Sequence, residues 1–349
     1  MKLKNLNGRL VEWLKDGPDC DVIVSSRARL ARNVAGQRFV QQASKKQKAQ
    51  MEEMLRHDLQ AEGMEPALTY VSLHNLDPLL VELLLERRLI SHQHAEADWV
   101  RGVAFDADEQ LSVMVNEEDH LRIQSIRAGL RLRAAYERAD AFDSLLAERV
   151  PFAYSARYGY LTACPTNTGT GLRAGVMLHI PALTMSRQIN RVMDRVHEQN
   201  LAVRGLYGEG THGAGDFYQV SNRVTLGLGE EEIVESVIHA ATELAEMERE
   251  AREELRTNHA DELGPRVHRA LDLLRSARAL SSQEALSFLS QVRMGMEMDV
   301  LDRDHLEELN HLFLLTLPAH LQTMEGRELD SSVRDERRAV YVRNKLANS

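Results

Sequence analysis

The chain has few of the features that staple, anchor or export a protein. Its 349 residues include only two cysteines, Cys20 and Cys164. Two thiols make neither a disulfide framework nor a zinc site, and they fit a reducing compartment. No apolar run approaches the roughly 20 residues that span a bilayer. The segment 1–17, read as a mixed charged helix with Trp13 and Leu14, lacks the apolar core of a signal peptide. A net charge of −10, with 28% of residues charged, argues against a large nucleic-acid footprint. Internal repeats and low-complexity tracts are missing too. These absences predict a soluble, cytoplasmic protein that contacts neither membrane nor nucleic acid directly.

What is present falls into two parts. Up to about Gly229, short β-like runs alternate with helices. Strands are predicted over 22–24, 68–71, 100–105, 111–115, 157–163, 172–180, 202–205 and 217–226, and helices over 44–63, 78–90, 136–148 and 184–200. From Glu231 to Leu346 the strand signals stop, and amphipathic helices follow one another. Breaks are expected near Gly264-Pro265, Ser281-Ser282, Asp299 to Asp304 and Pro318. The expected organisation is a helix over 1–20, an α+β domain over 21–250 and an all-α domain over 251–349.

Four segments of the α+β part carry chemistry. Val115-Asn116-Glu117-Glu118-Asp119-His120-Leu121-Arg122 gathers three carboxylates at the end of a strand. Burying carboxylates costs several kcal/mol unless they are paired, so folding alone rarely collects three of them. Ser25-Ser26-Arg27-Ala28-Arg29 follows the first strand, and two arginines two residues apart project to one face of extended backbone. Their planar forks suit phosphate oxygens. Cys164-Pro165-Thr166-Asn167-Thr168-Gly169-Thr170-Gly171-Leu172-Arg173 is a turn entering a strand, and it is not a P-loop because it has no lysine. Cys164 reads equally as a thiol activated by nearby arginines or as a small buried hydrophobe. Arg204-Gly205-Leu206-Tyr207-Gly208-Glu209 places a glutamate in a glycine-rich loop, either for delivery to a site by loop closure or simply in solvent.

Taken together, Arg27, Arg29, Arg122, Arg173 and Arg204 would neutralise a triphosphate and the charge on a transferring phosphoryl group. The acids suit a different task. A guanidinium keeps its proton up to a pKa above ~12. Making it a nucleophile needs carboxylates that grip it, localise its charge away from the attacking nitrogen and accept its proton.

The four segments, spanning roughly 20–235, resemble the phosphagen (guanidino) kinase family. The resemblance implies a glutamine-synthetase-like catalytic domain, an antiparallel sheet flanked by helices, with ATP and Mg²⁺ as cofactors. It places Ser25, Ser26, Arg27, Ala28, Arg29, Arg122, Arg173, Ala174, Gly175, Val176, Met177, Arg204, Gly205, Leu206, Tyr207, Gly208 and Glu209 around the nucleotide. Glu117, Glu118 and Glu209 would grip the guanidinium, and Cys164 would line its pocket. Asp119 would act through waters around a Mg²⁺ held by the phosphates, with no direct protein ligand. Arg88 stands where the family often has a nucleotide-contacting histidine, while His74, His92 and His94 are expected at the surface.

Small-molecule members carry a helical domain ahead of the Ser-Ser-Arg segment, whereas here 24 residues precede Ser25 and the extra domain follows. That layout is similar to the bacterial protein arginine kinases, whose acceptor is an arginine within a protein. In Arg334-Asp335-Glu336-Arg337-Arg338-Ala339, three arginines share a helix face, which reads as a solvated salt-bridged surface. By the resemblance, Arg334, Asp335 and Arg338 would instead form an allosteric phosphoarginine pocket. The resemblance also implies partners: protein substrates with exposed arginines, an activator protein, a repressor, a Clp-type protease and a second copy of the chain. Two alternatives stand beside it, a phosphagen kinase acting on free arginine and a non-catalytic phosphoarginine-binding adaptor.

Overall fold

The computed structural model describes residues 6, 8–205 and 213–347. Ten strands are present among them: β1 (Ile23–Arg32), β2 (Thr69–Ser72), β3 (Gly102–Phe105), β4 (Leu111–Val115), β5 (Leu121–Ala128), β6 (Tyr154–Ser155), β7 (Gly159–Tyr160), β8 (Leu172–His179), β9 (Leu201–Gly205) and β10 (Phe217–Asn222). Helices α1 (Lys45–Leu59), α2 (Pro78–Glu86), α3 (His92–Glu96), α4 (Leu132–Ala147), α5 (Pro181–Met185) and α6 (Ile189–Glu198) lie between them. The helical part comprises α7 (Glu230–Asn258), α8 (Ala260–Ser276), α9 (Ser282–Glu297), α10 (Leu306–Leu315), α11 (Pro318–Glu325) and α12 (Ser331–Ala347).

Eight strands form one sheet in the order β2-β3-β4-β5-β1-β8-β10-β9. Every neighbouring pair in it is antiparallel. Alternation divides each strand between two faces. On one face Ala28, Leu30, Ile123, Leu172, Ala174, Val176 and Val220 join α4 and α7 in the largest apolar core. The buried positions of α7, from Ile233 through Val237, Ala241 and Leu244 to Ala251 and Leu255, recur at helical spacing and belong to that same core. α7 is therefore a layer of the sheet-bearing part.

The opposite face is divided along its length. At one end Val24, Ile126, Met177 and Phe217 pack with Trp13 under α8, α9, α10 and α12. At the other end the same strands present arginines. The helical region thus covers half of this face and leaves the charged half open. Arg293 of α9 fastens the two parts: it donates to the carbonyls of Cys20 and Asp21 and, at 2.6 Å, to Nδ1 of buried His179.

Several predicted elements shift. The Ser-Ser-Arg segment, expected to follow the first strand, lies inside β1, because β5 and β8 supply hydrogen-bond ladders on both sides. An unpredicted strand, β5, begins at Leu121, straight after the acidic turn. Only the pairs β6 and β7 form within 157–163 and its approach. The predicted helix 184–200 is two helices, broken where Arg187 adopts φ 59°. Among the described residues of 1–20, the only helical turn running past one residue is the 3₁₀ turn Glu12–Leu14. Gly264-Pro265 lies within α8, the break falling instead at His259. The missing Pro265 N–H leaves only the solvated carbonyl four residues back unpaired.

Candidate active site

Register places the arginines side by side. Arg27 and Arg29 project from one face of β1; Arg29 lies opposite Arg173 on β8, and Ala31 opposite Arg122 on β5. Arg204 on β9 pairs with Gln219 of β10, whose Oε1 accepts from Arg27 at 3.0 Å. Gly175 faces Arg27 across the ladder, and a Cβ there would meet the Val220 carbonyl at 2.8 Å. Burial first, and then the charges of Arg27, Arg122 and Arg173, press the Arg29 guanidinium well below its ordinary pKa. Burial, then Arg204 and Arg122, also lower the pKa of Arg173. Guanidinium groups keep their proton in proteins, so the consequence is accumulated positive charge. The Arg29 Nε is buried without a hydrogen-bond partner. Such a cluster is a built receptor for a polyanion.

Alternation also separates the segment residues. Ser25, Gly175 and Met177 lie on the arginine face, while Ser26, Ala28, Ala174 and Val176 point into the core on the other side. Ser26 is occupied there, donating to the Gly129 carbonyl at 2.7 Å and accepting from the Arg131 N–H at 3.0 Å. Those four positions therefore offer the site backbone rather than side chains. Gly205 ends β9, whereas Leu206, Tyr207, Gly208 and Glu209 lie outside the described residues.

The turn between β4 and β5 sorts its three acids by environment. Glu117 is buried, with Arg122 Nη1 at 2.8 and 2.7 Å from its two oxygens and the Ser91 hydroxyl donating to one of them. Burial pushes its pKa up, but Arg122 and Ser91 outweigh that and hold it below the usual carboxylate range. Glu118 is half-buried beside Cys164, and burial, then Asp119 and Glu117, raise its pKa. A carboxylate with a raised pKa and partial access is a competent proton acceptor. Asp119 serves structure, its Oδ1 accepting from Asn33 Nδ2 at 2.5 Å and from the Ala163 N–H at 2.7 Å. It ties the Cys164 turn to the acidic turn. His120 accepts from the Val34 N–H at 3.0 Å and reaches the Arg38 carbonyl at 3.0 Å, so it too is a brace.

Cys164 is half-buried, with its Sγ 3.0 Å from Thr166 Oγ1. Thr225 pins this turn, its one hydroxyl proton shared between the Thr166 and Thr168 carbonyls at 2.9 and 2.8 Å. Arg88 reaches Met177 Sδ at 3.1 Å and stacks 4.9 Å from the Trp13 ring, at the border between the charged and apolar halves of the face. His74 and His92 are exposed, but His94 is fully buried, contrary to expectation. Its Nε2 meets the Gly102 carbonyl at 3.0 Å, and burial lowers its pKa to about 4. Sequence reasoning missed Ser91 and Gln219 as partners of the site. The capping position of Ser91 was legible, but its reach to Glu117 was not.

An open arginine cluster faced by two carboxylates of opposite pKa tendency defines a phosphotransferase for a basic acceptor. Residues 50–251 match the family model described as ATP:guanido phosphotransferase, C-terminal catalytic domain. Residues 260–349 match that of the protein-arginine kinase McsB C-terminal domain. The protein-arginine kinase of Halothermothrix orenii is 41% identical over 99% of both chains, and that of Moorella thermoacetica 43% identical over 96% of this chain and 97% of its own. Among solved structures, lombricine kinase superposes with a TM-score of 0.59 at 26% identity, covering 69% of each chain. The duplicated taurocyamine kinase of Schistosoma mansoni gives a TM-score of 0.60 at 30% identity over 68% of this chain, which spans 34% of that protein. The chain belongs to the ATP:guanido phosphotransferases, and to the protein-arginine kinases among them.

Proposed function

We propose that this protein transfers the γ-phosphoryl group of ATP to arginine side chains of proteins. The observation that carries the reading is the half-buried Glu118, its pKa raised, set against an arginine cluster in which burial and neighbouring guanidinium charges press on Arg29 and Arg173. Arg27, Arg29, Arg122, Arg173 and Arg204 take the phosphates. Glu117 stays ionised and holds the incoming guanidinium by its charge. Glu118 receives the proton from the attacking terminal nitrogen. The N–P bond forms as the bond from the γ-phosphorus to the β–γ bridging oxygen breaks, and ADP leaves with that electron pair. Glu209 would grip the guanidinium from its loop, and Cys164 lines the pocket.

Among the described residues no group of three or more His, Cys, Asp or Glu is placed to hold a metal ion. By the family resemblance Mg²⁺ would ride on the phosphates, supplying charge neutralisation there. Among those residues no helix is long and apolar enough to cross a membrane; the cytoplasmic location rests on the family resemblance. An activator, a repressor, a Clp-type protease and a second copy of the chain are the partners that the family resemblance adds.

In the helical part, Arg338 is buried, its Nε donating to the Thr316 carbonyl at 2.8 Å and its Nη1 to the Leu280 carbonyl at 2.6 Å and Asp335 at 2.5 Å. Arg334 is half-buried with one contact to the Leu329 carbonyl at 3.3 Å. Arg337 faces outward toward Glu325 at 3.6 Å. Arg334, Asp335 and Arg338 are proposed as a phosphoarginine pocket in which Arg338 doubles as a brace.

Incubation with labelled ATP and an arginine-rich protein tests the reading. Acid-labile label on the protein, formed faster than phosphoarginine from free arginine, is the expected result. Label absent from protein overturns it, and faster turnover of the free amino acid points to a small-molecule phosphagen kinase.

A further inference from the structure

A residue of the catalytic part caps a helix of the helical part. Pro318 opens α11, and the next two N–H groups, of Ala319 and His320, donate to the Glu86 carboxylate at 2.8 and 2.9 Å. The His320 Nδ1 lies 2.7 Å from the same carboxylate. Glu86 is the last residue of α2, and His320 is fully buried. The next residue, Arg87, is buried as well, and it grips both oxygens of Glu109 at 2.6 and 2.7 Å. The opposite side of α2 packs Val81 and Leu84 against Val103, Phe105 and Met114. The end of α2 is therefore held on every side.

The following residues carry that constraint into the active site. Arg88 takes a left-handed φ of 63°, its carbonyl accepting from Gln124 Nε2 at 2.7 Å. Ser91 donates to Glu117 while its oxygen accepts the His94 N–H at 3.0 Å. With its one proton given to Glu117 and a lone pair used by His94, the hydroxyl has a fixed orientation. Arg122 also holds Glu117, but a bound triphosphate competes for that guanidinium. Ser91 then remains on the carboxylate.

We propose that the helical region positions Glu117: α11 clamps Glu86, the segment 87–91 transmits the constraint, and Ser91 holds the carboxylate. Glu86 and Ser91 are thus positioning residues of phosphoryl transfer, an inference that rests on the kinase reading above. Ser91→Ala, Ser91→Thr and Glu86→Ala test it in the full chain, with ATP and an arginine-bearing protein. Both alanine variants are expected to lower kcat by about tenfold to a hundredfold, the scale of a misplaced reacting group, with KM for ATP little changed.

Loss of a donor raises the Glu117 pKa, so protonation of Glu117 joins that of Glu118 in the acid limb of the kcat profile, which becomes steeper and moves to higher pH in both. Arg122, Arg29, His94, Glu118 and Asp119 also face Glu117. They are unchanged in every variant, so the movement of the limb reports the positioning. Ser91→Thr restores both kcat and the limb. A cap that only stabilises the fold would lower the melting temperature of Glu86→Ala and leave kcat and the limb as in the wild type, which overturns the coupling. A wild-type limb in Ser91→Ala overturns the role of Ser91. Should Glu86→Ala fail to fold, Glu86→Gln, which keeps one accepting oxygen, is expected to shift the limb part of the way, and no shift overturns the coupling. Absence of transfer by the wild-type protein is instead the failure of the kinase reading.

Discussion

Glu117 and Glu118 are adjacent in sequence and opposite in character. Arg122 and Ser91 overcome burial at Glu117 and keep it charged, whereas burial and the neighbouring acids push the Glu118 pKa up. The sign of the pH dependence follows. The proton acceptor works only when ionised, so activity is complete above the raised pKa of Glu118 and is lost as pH falls through it. The acid limb of kcat is expected above the ~4.3 of an ordinary glutamate. Measured initial rates against pH check this, and a limb at or below that value would assign the base elsewhere. The sequence alone left the two glutamates interchangeable, because their difference comes from the burial each meets in the fold and from Ser91, which is 26 residues away from Glu117.

At the scale of elements, the two-residue spacing of Arg27 and Arg29 was legible, and so was their common face. The length of β1 was not. Ser, Arg and Ala are weak strand formers, and only the partners β5 and β8 on either side extend the strand to Arg32. β5 was missed for a related reason, since its alternation begins inside a motif dominated by charge. Arg32, at the end of β1, is a structural counterpart of the arginines proposed to take phosphates. It lies on the core face, with Nε and Nη2 at 3.0 and 2.8 Å from Asp143 of α4 and the Tyr160 ring 3.4 Å away. Breaking a buried pair strands one charge, at a cost of about 3–5 kcal/mol. Asp143→Ala is expected to lose that much stability in urea unfolding, and a loss below ~1 kcal/mol would show the pair to be solvated.

At the scale of the molecule, one sheet face is divided, with a packed half beneath the helical region and a charged half that the proposed function assigns to nucleotide and guanidinium. The change from strands to helices near 230 was legible from periodicity, but not the attachment of α7 to the sheet core, which depends on long-range packing. The proposed phosphoarginine pocket belongs to this scale. Arg338→Ala is expected to weaken stimulation by added phosphoarginine and to lower the melting temperature, since Thr316 and Leu280 lose a buried donor. Arg334→Ala should weaken stimulation with little thermal effect. Unchanged stimulation in both variants would remove the pocket.

Phosphoarginine-specific mass spectrometry of an arginine-rich protein, after incubation with ATP and either wild type or Glu118→Gln, reaches the central claim most directly. The glutamine keeps the size of the side chain but cannot take the proton, so phosphorylated arginines should appear with the wild type and vanish with the variant, while nucleotide binding persists. Equal phosphoarginine from both proteins would contradict the account.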